Sequence, residues 1–215
     1  MFKPGPLYEI RKEITKKLKN LPLETGDIVY NAADVAGPFN IPFSKLIQFF
    51  TKSPYSHGTV ILVEDGETYA IDVSDWGTRK LRIIDWFDNW YMTDFCVYRL
   101  KNKTKENEQC LEKNIRQFLE DDPSYDFNFK DPKAYYCTES VKTIYLKCGL
   151  DLGGAYLLKD IVPTWFYYMI LAGNFFTSKF TGSSLPTDTP INIVGNPQKG
   201  MMASELTERI FEFKK

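Results

Sequence analysis

The chain has 215 residues, of which 43% are hydrophobic, 15% aromatic and 26% charged. These values suit a single globular domain that buries most of the surface its unfolded form exposes. Lysine plus arginine (27) nearly balances aspartate plus glutamate (28). No basic run is dense enough to mark a nucleic-acid interface, so we expect no nucleic-acid partner.

The four cysteines are Cys96, Cys110, Cys137 and Cys148. They form neither a CxxC pair nor a metal-like cluster, so we expect no metal ion, and we expect no cofactor. The first residues lack the apolar stretch and cleavage site of a signal peptide. We therefore expect reduced thiols and a cytoplasmic protein, although a chain that had lost a signal peptide would look the same.

The N-terminal part of the chain predicts two helices with a strand and a loop between them. Apolar residues spaced by four predict a helix over 8–20 with a basic outer face. An apolar run predicts a strand at 28–30, and enrichment in Gly, Pro and Asn predicts a loop over 31–43. Ser44 is placed to cap a helix over 45–50.

The clearest local signal is a β-hairpin. Two strand-like runs, 57–63 and 68–73, flank Asp65-Gly66. Asp-Gly favours a two-residue type I′ turn, because both central positions of that turn need a positive φ.

Further along, the patterns predict strands at 79–84 and 95–100, separated by an aromatic stretch. An amphipathic helix is predicted over 104–120, where Asp121-Asp122-Pro123 ends it. A second helix runs from Cys137 to Cys148 and is closed by a glycine.

The C-terminal part changes in character. Residues 161–176 are strongly apolar and aromatic, and they favour a helix beginning at Pro163. They are fewer than the roughly 20 residues that a membrane-spanning helix needs. A loop over 181–200 and a short polar segment follow.

His57 is the only histidine in the chain, and it opens the first strand of the predicted hairpin. The turn fixes a register in which paired positions sum to 131, so that Thr59 faces Asp72. Asp72 then becomes a diagonal neighbour of His57 on the same face of the sheet. A carboxylate there can orient the imidazole and stabilise its charged form. A one-residue slip would move Asp72 to the other face, which would leave Asp75 as the candidate.

Cys137 is placed at the start of a helix whose apolar face points toward a sheet. The positive end of a helix dipole lowers the pKa of a thiol in the first turn. Cys137 is therefore the candidate nucleophile, whereas the other three cysteines suit structural positions.

The order of five short motifs resembles that of the permuted papain-like hydrolases of the YiiX/YebB group, relatives of NlpC-type peptidases and of lecithin retinol acyltransferase. The motifs are Gly26-Asp27-Ile28, Ser56-His57-Gly58, a strand ending in Asp72, Tyr125-Asp126-Phe127 and Tyr136-Cys137-Thr138-Glu139. Thr138 stands where the family has serine, and Asp72 stands where relatives often have glutamate. The resemblance covers residues 24 to about 150.

This resemblance implies an α+β, circularly permuted papain-like (NlpC-like) fold, with an antiparallel sheet packed against helices and the nucleophile at a helix N-terminus. It implies a single domain, 1–215, with a catalytic core at 24–150 and an aromatic-rich extension at 151–215 that packs on the core. By similarity, Cys137 is the nucleophile and His57 the base.

By the same similarity, Asp72 orients His57, and Tyr136 helps to stabilise an oxyanion alongside the backbone N–H of Cys137. The expected activity is that of a thiol hydrolase (amidase, peptidase or esterase) or acyltransferase. The expected partner is a small-molecule, lipid or peptide substrate with an amide or ester bond, such as an acyl-lysine. Two alternatives stay open. The chain could be an inactive binding module, or a membrane-associated interaction protein that uses 161–176 for peripheral membrane contact.

Overall fold

The computed structural model describes residues 6–32, 43–74, 76–89, 94–125, 134–181, 187–188 and 190–214. Most of the predicted loop at 31–43 lies outside these ranges, as do Asp75 and the Asp126-Phe127 part of one motif.

The described residues form helices and strands that are mixed along the chain. In chain order they are α1 (Pro6–Lys19), β1 (Ile28–Ala32), α2 (Phe43–Thr51), β2 (His57–Glu64), β3 (Glu67–Ser74), β4 (Gly77–Arg82), α3 (Ile83–Asn89), β5 (Asp94–Leu100), α4 (Lys105–Asp121), α5 (Cys137–Leu146), β6 (Ala155–Tyr156), α6 (Leu158–Ile161), α7 (Thr164–Thr181), β7 (Ile191–Asn192), a 3₁₀ turn (Met201–Ala203) and β8 (Thr207–Phe213).

Six strands form one antiparallel sheet in the order β4-β3-β2-β1-β5-β8. Helices α4 and α5 cover one face of the sheet, where Leu111, Ile115 and Ile144 are buried. Helices α1 and α3 cover the other face, where Leu18 and Trp86 are buried. Because both faces carry helices, strands β1 and β2 are apolar on both sides and form the centre of the molecule.

The predicted hairpin register is confirmed. Glu64 pairs with Glu67 and Val60 pairs with Ile71, so paired positions sum to 131. Asp65 and Gly66 both have positive φ (53° and 78°), as a type I′ turn requires. Thr59 and Asp72 therefore face each other, and Asp72 points to the same face of the sheet as His57, as predicted.

Most other boundaries agree with the sequence, and four details differ. The helix α3 begins at Ile83, so the predicted strand 79–84 ends early and most of the aromatic stretch is helical. Ser44 lies inside α2 rather than capping it. A two-residue strand, β7, lies inside the predicted 181–200 loop, where it pairs with β6. The polar C-terminal segment forms β8, which pairs with β5 at the edge of the sheet.

The prediction of reduced thiols is wrong for two of the four cysteines. Cys110 in α4 and Cys148 just after α5 form a disulfide with a Cα–Cα distance of 5.8 Å. Cys96 and Cys137 are free. The error arose because 38 residues separate the pair, and only the packing of α4 beside α5 brings them together. Since disulfides are rare in the cytosol, the cysteine argument for a cytoplasmic protein fails.

The apolar 161–176 segment forms most of α7, which begins one residue after Pro163. None of the helices in the described ranges combines the length and the apolar character needed to cross a bilayer.

Candidate active site

The hairpin places an imidazole against a buried carboxylate. His57 Nε2 lies 2.7 Å from Asp72 Oδ1, and Asp72 is fully buried while His57 is nearly so. The two residues are diagonal neighbours on strands β2 and β3, as the register predicts. The contact fixes the ring and leaves Nδ1 directed away from the carboxylate.

Strand β4 supplies a second partner for the same carboxylate. Arg79 pairs directly with Asp72 across the β3–β4 ladder. Its Nη2 donates to Asp72 Oδ2 at 2.7 Å and contacts Ser74 Oγ at 3.4 Å. One oxygen of Asp72 therefore contacts the imidazole of His57, and the other accepts from the guanidinium of Arg79. The sequence analysis did not identify Arg79. The available signal was that β4 follows β3 directly along the chain, which makes it a candidate to pair with β3.

Helix α5 brings the thiol to the imidazole. Cys137 is the first residue of α5 and is partly exposed. Its thiol hydrogen bonds with the His57 side chain and with the backbone N–H of Gly58. Residues that are 80 positions apart in sequence thus form one chain of contacts: thiol, imidazole and carboxylate.

Gly58 lies between the Tyr30 ring of β1 and the first turn of α5. A Cβ at Gly58 would lie 3.2 Å from the ring of Tyr30 and 3.6 Å from Thr138 Cγ2. A side chain at this position would crowd the Tyr30 ring on β1, whereas the distance to Thr138, the residue that follows Cys137, is an ordinary van der Waals contact. The Ser-His-Gly motif therefore has a packing reason for its glycine.

The pKa values of Cys137 and His57 are both shifted so that the charged form of each side chain is favoured. Burial by itself raises the pKa of the Cys137 thiol, but the charge and hydrogen bond of His57 outweigh it and lower that pKa below its usual value. Burial alone lowers the pKa of His57, yet the Cys137 charge and the hydrogen bond to Asp72 raise it to about 10. Around neutral pH, these shifts favour a thiolate–imidazolium pair.

Asp72 stays ionised beside this pair. Its burial alone would raise its pKa, but the hydrogen bonds and charge of His57 and the hydrogen bond from Arg79 lower that pKa to about 2. The ionised carboxylate can therefore stabilise the imidazolium at any physiological pH.

The residues on both sides of Cys137 contact one short strand. The hydroxyl of Tyr136 accepts a hydrogen bond from the backbone N–H of Asn192, and Thr138 Oγ1 donates to the Asn192 carbonyl at 2.7 Å. Burial raises the pKa of Tyr136 well above its usual value, so the phenol keeps its proton. The threonine that replaces the expected serine thus performs a structural role through its hydroxyl.

The Gly-Asp-Ile motif contributes to packing rather than to the candidate site. Asp27 accepts two hydrogen bonds from Arg99, both at 2.8 Å. Gly26 has a φ of 90°, and a Cβ there would lie 2.7 Å from Leu111 Cδ1. Its carbonyl accepts a hydrogen bond from Tyr145 on α5. The motif therefore holds α5, and with it Cys137, against the sheet.

Asn31 is a further polar residue next to the imidazole. It pairs with His57 across the β1–β2 ladder, and it is fully buried. Neither its Nδ2 nor its Oδ1 has a hydrogen-bond partner in the part of the chain that the structure describes. A buried amide without partners costs about 1–3 kcal/mol, so its position beside the imidazole makes Asn31 a candidate for a substrate contact.

A thiol at a helix N-terminus, hydrogen bonded to an imidazole that opens a strand lying earlier in the chain, defines the class of permuted papain-like proteins. The model of the permuted papain-like amidase enzymes, the YaeF/YiiX or C92 family, matches residues 22–178. The chain therefore belongs to this family, which is one of cysteine hydrolase-type enzymes. None of the curated proteins compared with the chain matches it significantly.

Among solved structures, the chain is similar to the crystal structure of the metalloprotein YiiX from Escherichia coli O157:H7. The TM-score is 0.69 at 19% identity, over 91% of this chain and 100% of that chain. The likeness confirms the fold. Within the described residues of this chain, no group of three or more His, Cys, Asp or Glu side chains is arranged to hold a metal ion.

Proposed function

We propose that the chain is a cysteine amidase or esterase in which Cys137 is the nucleophile, His57 the general base and acid, and Asp72 the carboxylate that orients His57. The observation that carries the proposal is the continuous contact from thiol to imidazole to buried carboxylate. The Nε2–Oδ1 distance of 2.7 Å is that of a charge-assisted hydrogen bond.

The reaction runs through an acyl-enzyme. The Cys137 thiolate attacks the carbonyl carbon and forms a C–S bond, while the carbonyl electron pair moves to oxygen. When the tetrahedral intermediate collapses, the C–N or C–O bond breaks and the His57 imidazolium gives its proton to the leaving amine or alcohol. Water then attacks the thioester as His57 takes its proton, the C–S bond breaks, the acid is released and the thiolate–imidazolium pair is restored. An amine or alcohol in place of water would make the same step an acyl transfer.

The oxyanion needs donors near the Cys137 sulfur. We assign this role to the backbone N–H of Cys137, at the positive end of α5, and to the hydroxyl of Tyr136. The Tyr136 hydroxyl already accepts from Asn192 N–H, and an O–H that accepts one hydrogen bond donates a second more strongly. The raised pKa of the phenol keeps the donor protonated.

Arg79 acts as a positioning residue. It does not touch the thiol, but it fixes the second oxygen of Asp72 and so holds the first oxygen against His57. Its guanidinium also stacks over the exposed ring of Trp76, with 4.6 Å between the guanidinium carbon and the ring centroid. The arginine therefore links the buried carboxylate to the surface.

Asn31 is assigned to the substrate. An amide side chain offers one acceptor and two donors, which match the N–H and C=O of a substrate amide. Its position beside His57 on the neighbouring strand supports a contact within reach of the reacting bond. This assignment favours amides over esters, because an ester lacks the N–H.

A panel of substrates tests the proposal. Acyl-lysine amides, short peptides and lipid esters, each with a chromogenic or mass-detected product, are incubated with the wild-type chain, with Cys137→Ala and with His57→Ala. At least one class should turn over, and each variant should lose several orders of magnitude in kcat/KM, since such residues act as a unit. Turnover that survives Cys137→Ala would overturn the assignment of the nucleophile.

A further inference from the structure

Helices α2 and α7 expose more large apolar side chains than the rest of the described residues. Four of the six large hydrophobic residues that are exposed within the described residues lie on these two helices. They are Phe49 (70% exposed), Trp165 (63%), Tyr168 (64%) and Met169 (59%). We call these four residues the aromatic patch.

The patch is continuous in space. Ring contacts run from Phe49 to Phe50 (5.3 Å between centroids), from Phe50 to Phe166 (4.3 Å), and from Phe166 to Trp165 (5.5 Å). Tyr168 and Met169 come three and four residues after Trp165 on α7, which places them on the same face of the helix as Trp165. One surface therefore spans both helices.

The charged residues on and beside these two helices are mainly basic. Neither α2 nor α7 contains an aspartate or glutamate. Lys45 on α2, Lys52 just after it and Lys159 just before α7 are all exposed. Asp160 is the only acidic residue in 43–53 or 158–181. The patch thus combines apolar rings with a basic surround.

We propose that the aromatic patch binds the surface of an anionic lipid bilayer. Tryptophan and tyrosine favour the membrane–water interface, because their rings are apolar and their polar atoms remain in contact with water. Exposed lysines nearby are attracted to anionic headgroups. A protein partner of mixed charge would not require the residues around the patch to be mainly basic.

Binding in this way would bring the candidate active site near the headgroups. Helix α2 ends at Thr51, and β2 begins at His57, only six residues later. A substrate whose acyl chain sits in the bilayer would then reach the thiol without leaving the membrane. The membrane proposal itself rests on the patch and does not depend on the thiol chemistry.

Flotation with lipid vesicles tests the proposal, in a Cys137→Ala background so that catalysis plays no part. One set of vesicles contains phosphatidylcholine alone, and the other contains phosphatidylcholine with phosphatidylglycerol. The protein should float with the anionic vesicles, and added salt should weaken the binding. The double variant Trp165→Ser/Tyr168→Ser should bind the anionic vesicles with an affinity that is lower by about tenfold or more. The matched control is Leu146→Ser, which removes an exposed apolar side chain (45%) at the end of α5 and should bind as before.

A second variant separates charge from apolar contact. Lys45→Glu/Lys52→Glu should lower binding to the anionic vesicles while leaving the apolar rings intact. The four residues changed in the two double variants, Trp165, Tyr168, Lys45 and Lys52, are exposed. Both variants should therefore give unchanged circular dichroism spectra, which should be checked. The proposal is overturned if the protein does not float, if it binds neutral and anionic vesicles equally, or if the patch variant binds like Leu146→Ser. It is also overturned if the wild-type chain is a dimer that Trp165→Ser/Tyr168→Ser makes monomeric without any vesicle binding.

Discussion

The hydroxyl of Tyr136 accepts a hydrogen bond from the backbone N–H of Asn192, 56 residues further along the chain. This bond connects the residue before the candidate nucleophile to strand β7, in the C-terminal part of the protein. It positions the phenol at the start of α5. The C-terminal segment therefore contributes directly to the geometry beside the thiol.

Tyr136→Phe tests the oxyanion role of the hydroxyl. Because one oxyanion donor is lost, kcat should fall about 100-fold while KM changes little. The matched control is Tyr145→Phe on α5, because the Tyr145 hydroxyl donates to the Gly26 carbonyl. That variant should lower the thermal stability and leave kcat nearly intact. Equal effects of the two variants on kcat would show that the Tyr136 hydroxyl is structural.

Arg79→Met tests the support of Asp72. Without the guanidinium the pKa of Asp72 rises from about 2, and the carboxylate is less firmly oriented. We expect kcat/KM to fall about tenfold. Since Asp72 now takes up a proton at a higher pH, the acid limb of the pH–rate profile should move to higher pH. Arg82→Met is the control, because Arg82 is on the same strand but pairs with exposed Asp85. An unchanged acid limb in Arg79→Met would contradict the positioning role.

Asn31→Leu should separate stability from activity. The substitution removes a buried amide that has no partner in the described part of the chain, so the free energy of unfolding should rise by about 1 kcal/mol. If Asn31 binds the substrate, kcat/KM for an amide should nevertheless fall about tenfold.

The contrast for Asn31 is Thr59→Val. Thr59 is equally buried, but its hydroxyl donates to the Ile71 carbonyl, so its loss should destabilise the fold by about 1 kcal/mol and spare kcat/KM. Denaturant unfolding and steady-state kinetics measure both variants. Asn31→Leu protein that is less stable and fully active would refute the assignment to the substrate.

The Cys110–Cys148 disulfide predicts how many free thiols the protein carries. Denatured, unreduced protein should take up two alkyl groups by mass spectrometry, on Cys96 and Cys137. Closing a loop of this length stabilises a fold by about 3–4 kcal/mol, so the double variant Cys110→Ser/Cys148→Ser should melt at a lower temperature. Four alkyl groups on protein prepared without reductant would contradict the disulfide.

Much of the site could be predicted from local sequence. The Asp-Gly turn fixed the hairpin register, and the register fixed the neighbour of His57. The helix start at Cys137 followed from the apolar spacing of α5. These predictions succeeded because a type I′ turn and a helical repeat each depend on residues close together in the chain.

The remaining features depend on contacts between distant segments. Neither the packing of α4 beside α5, which brings Cys110 to Cys148, nor the docking of Asn192 against Tyr136 leaves a local pattern. Arg79 lies in β4, and no turn motif in the sequence predicts the register in which β4 pairs with β3. The edge strand β8 was missed because its seven residues, 207–213, show no regular alternation of polar and apolar side chains.

The pH dependence of Cys137 alkylation by iodoacetamide tests the central claim most directly. The thiolate is the reactive form, and His57 lowers the pKa of this thiol below its usual value. The wild-type rate at Cys137 should therefore stay high at pH values where an ordinary thiol is protonated. Cys96 should stay inert, because burial raises its pKa to about 12. In His57→Ala, the profile at Cys137 should move to higher pH, with a much slower rate at pH values near neutral. If the wild-type chain and His57→Ala give the same profile, the imidazole does not activate the thiol and the account is wrong.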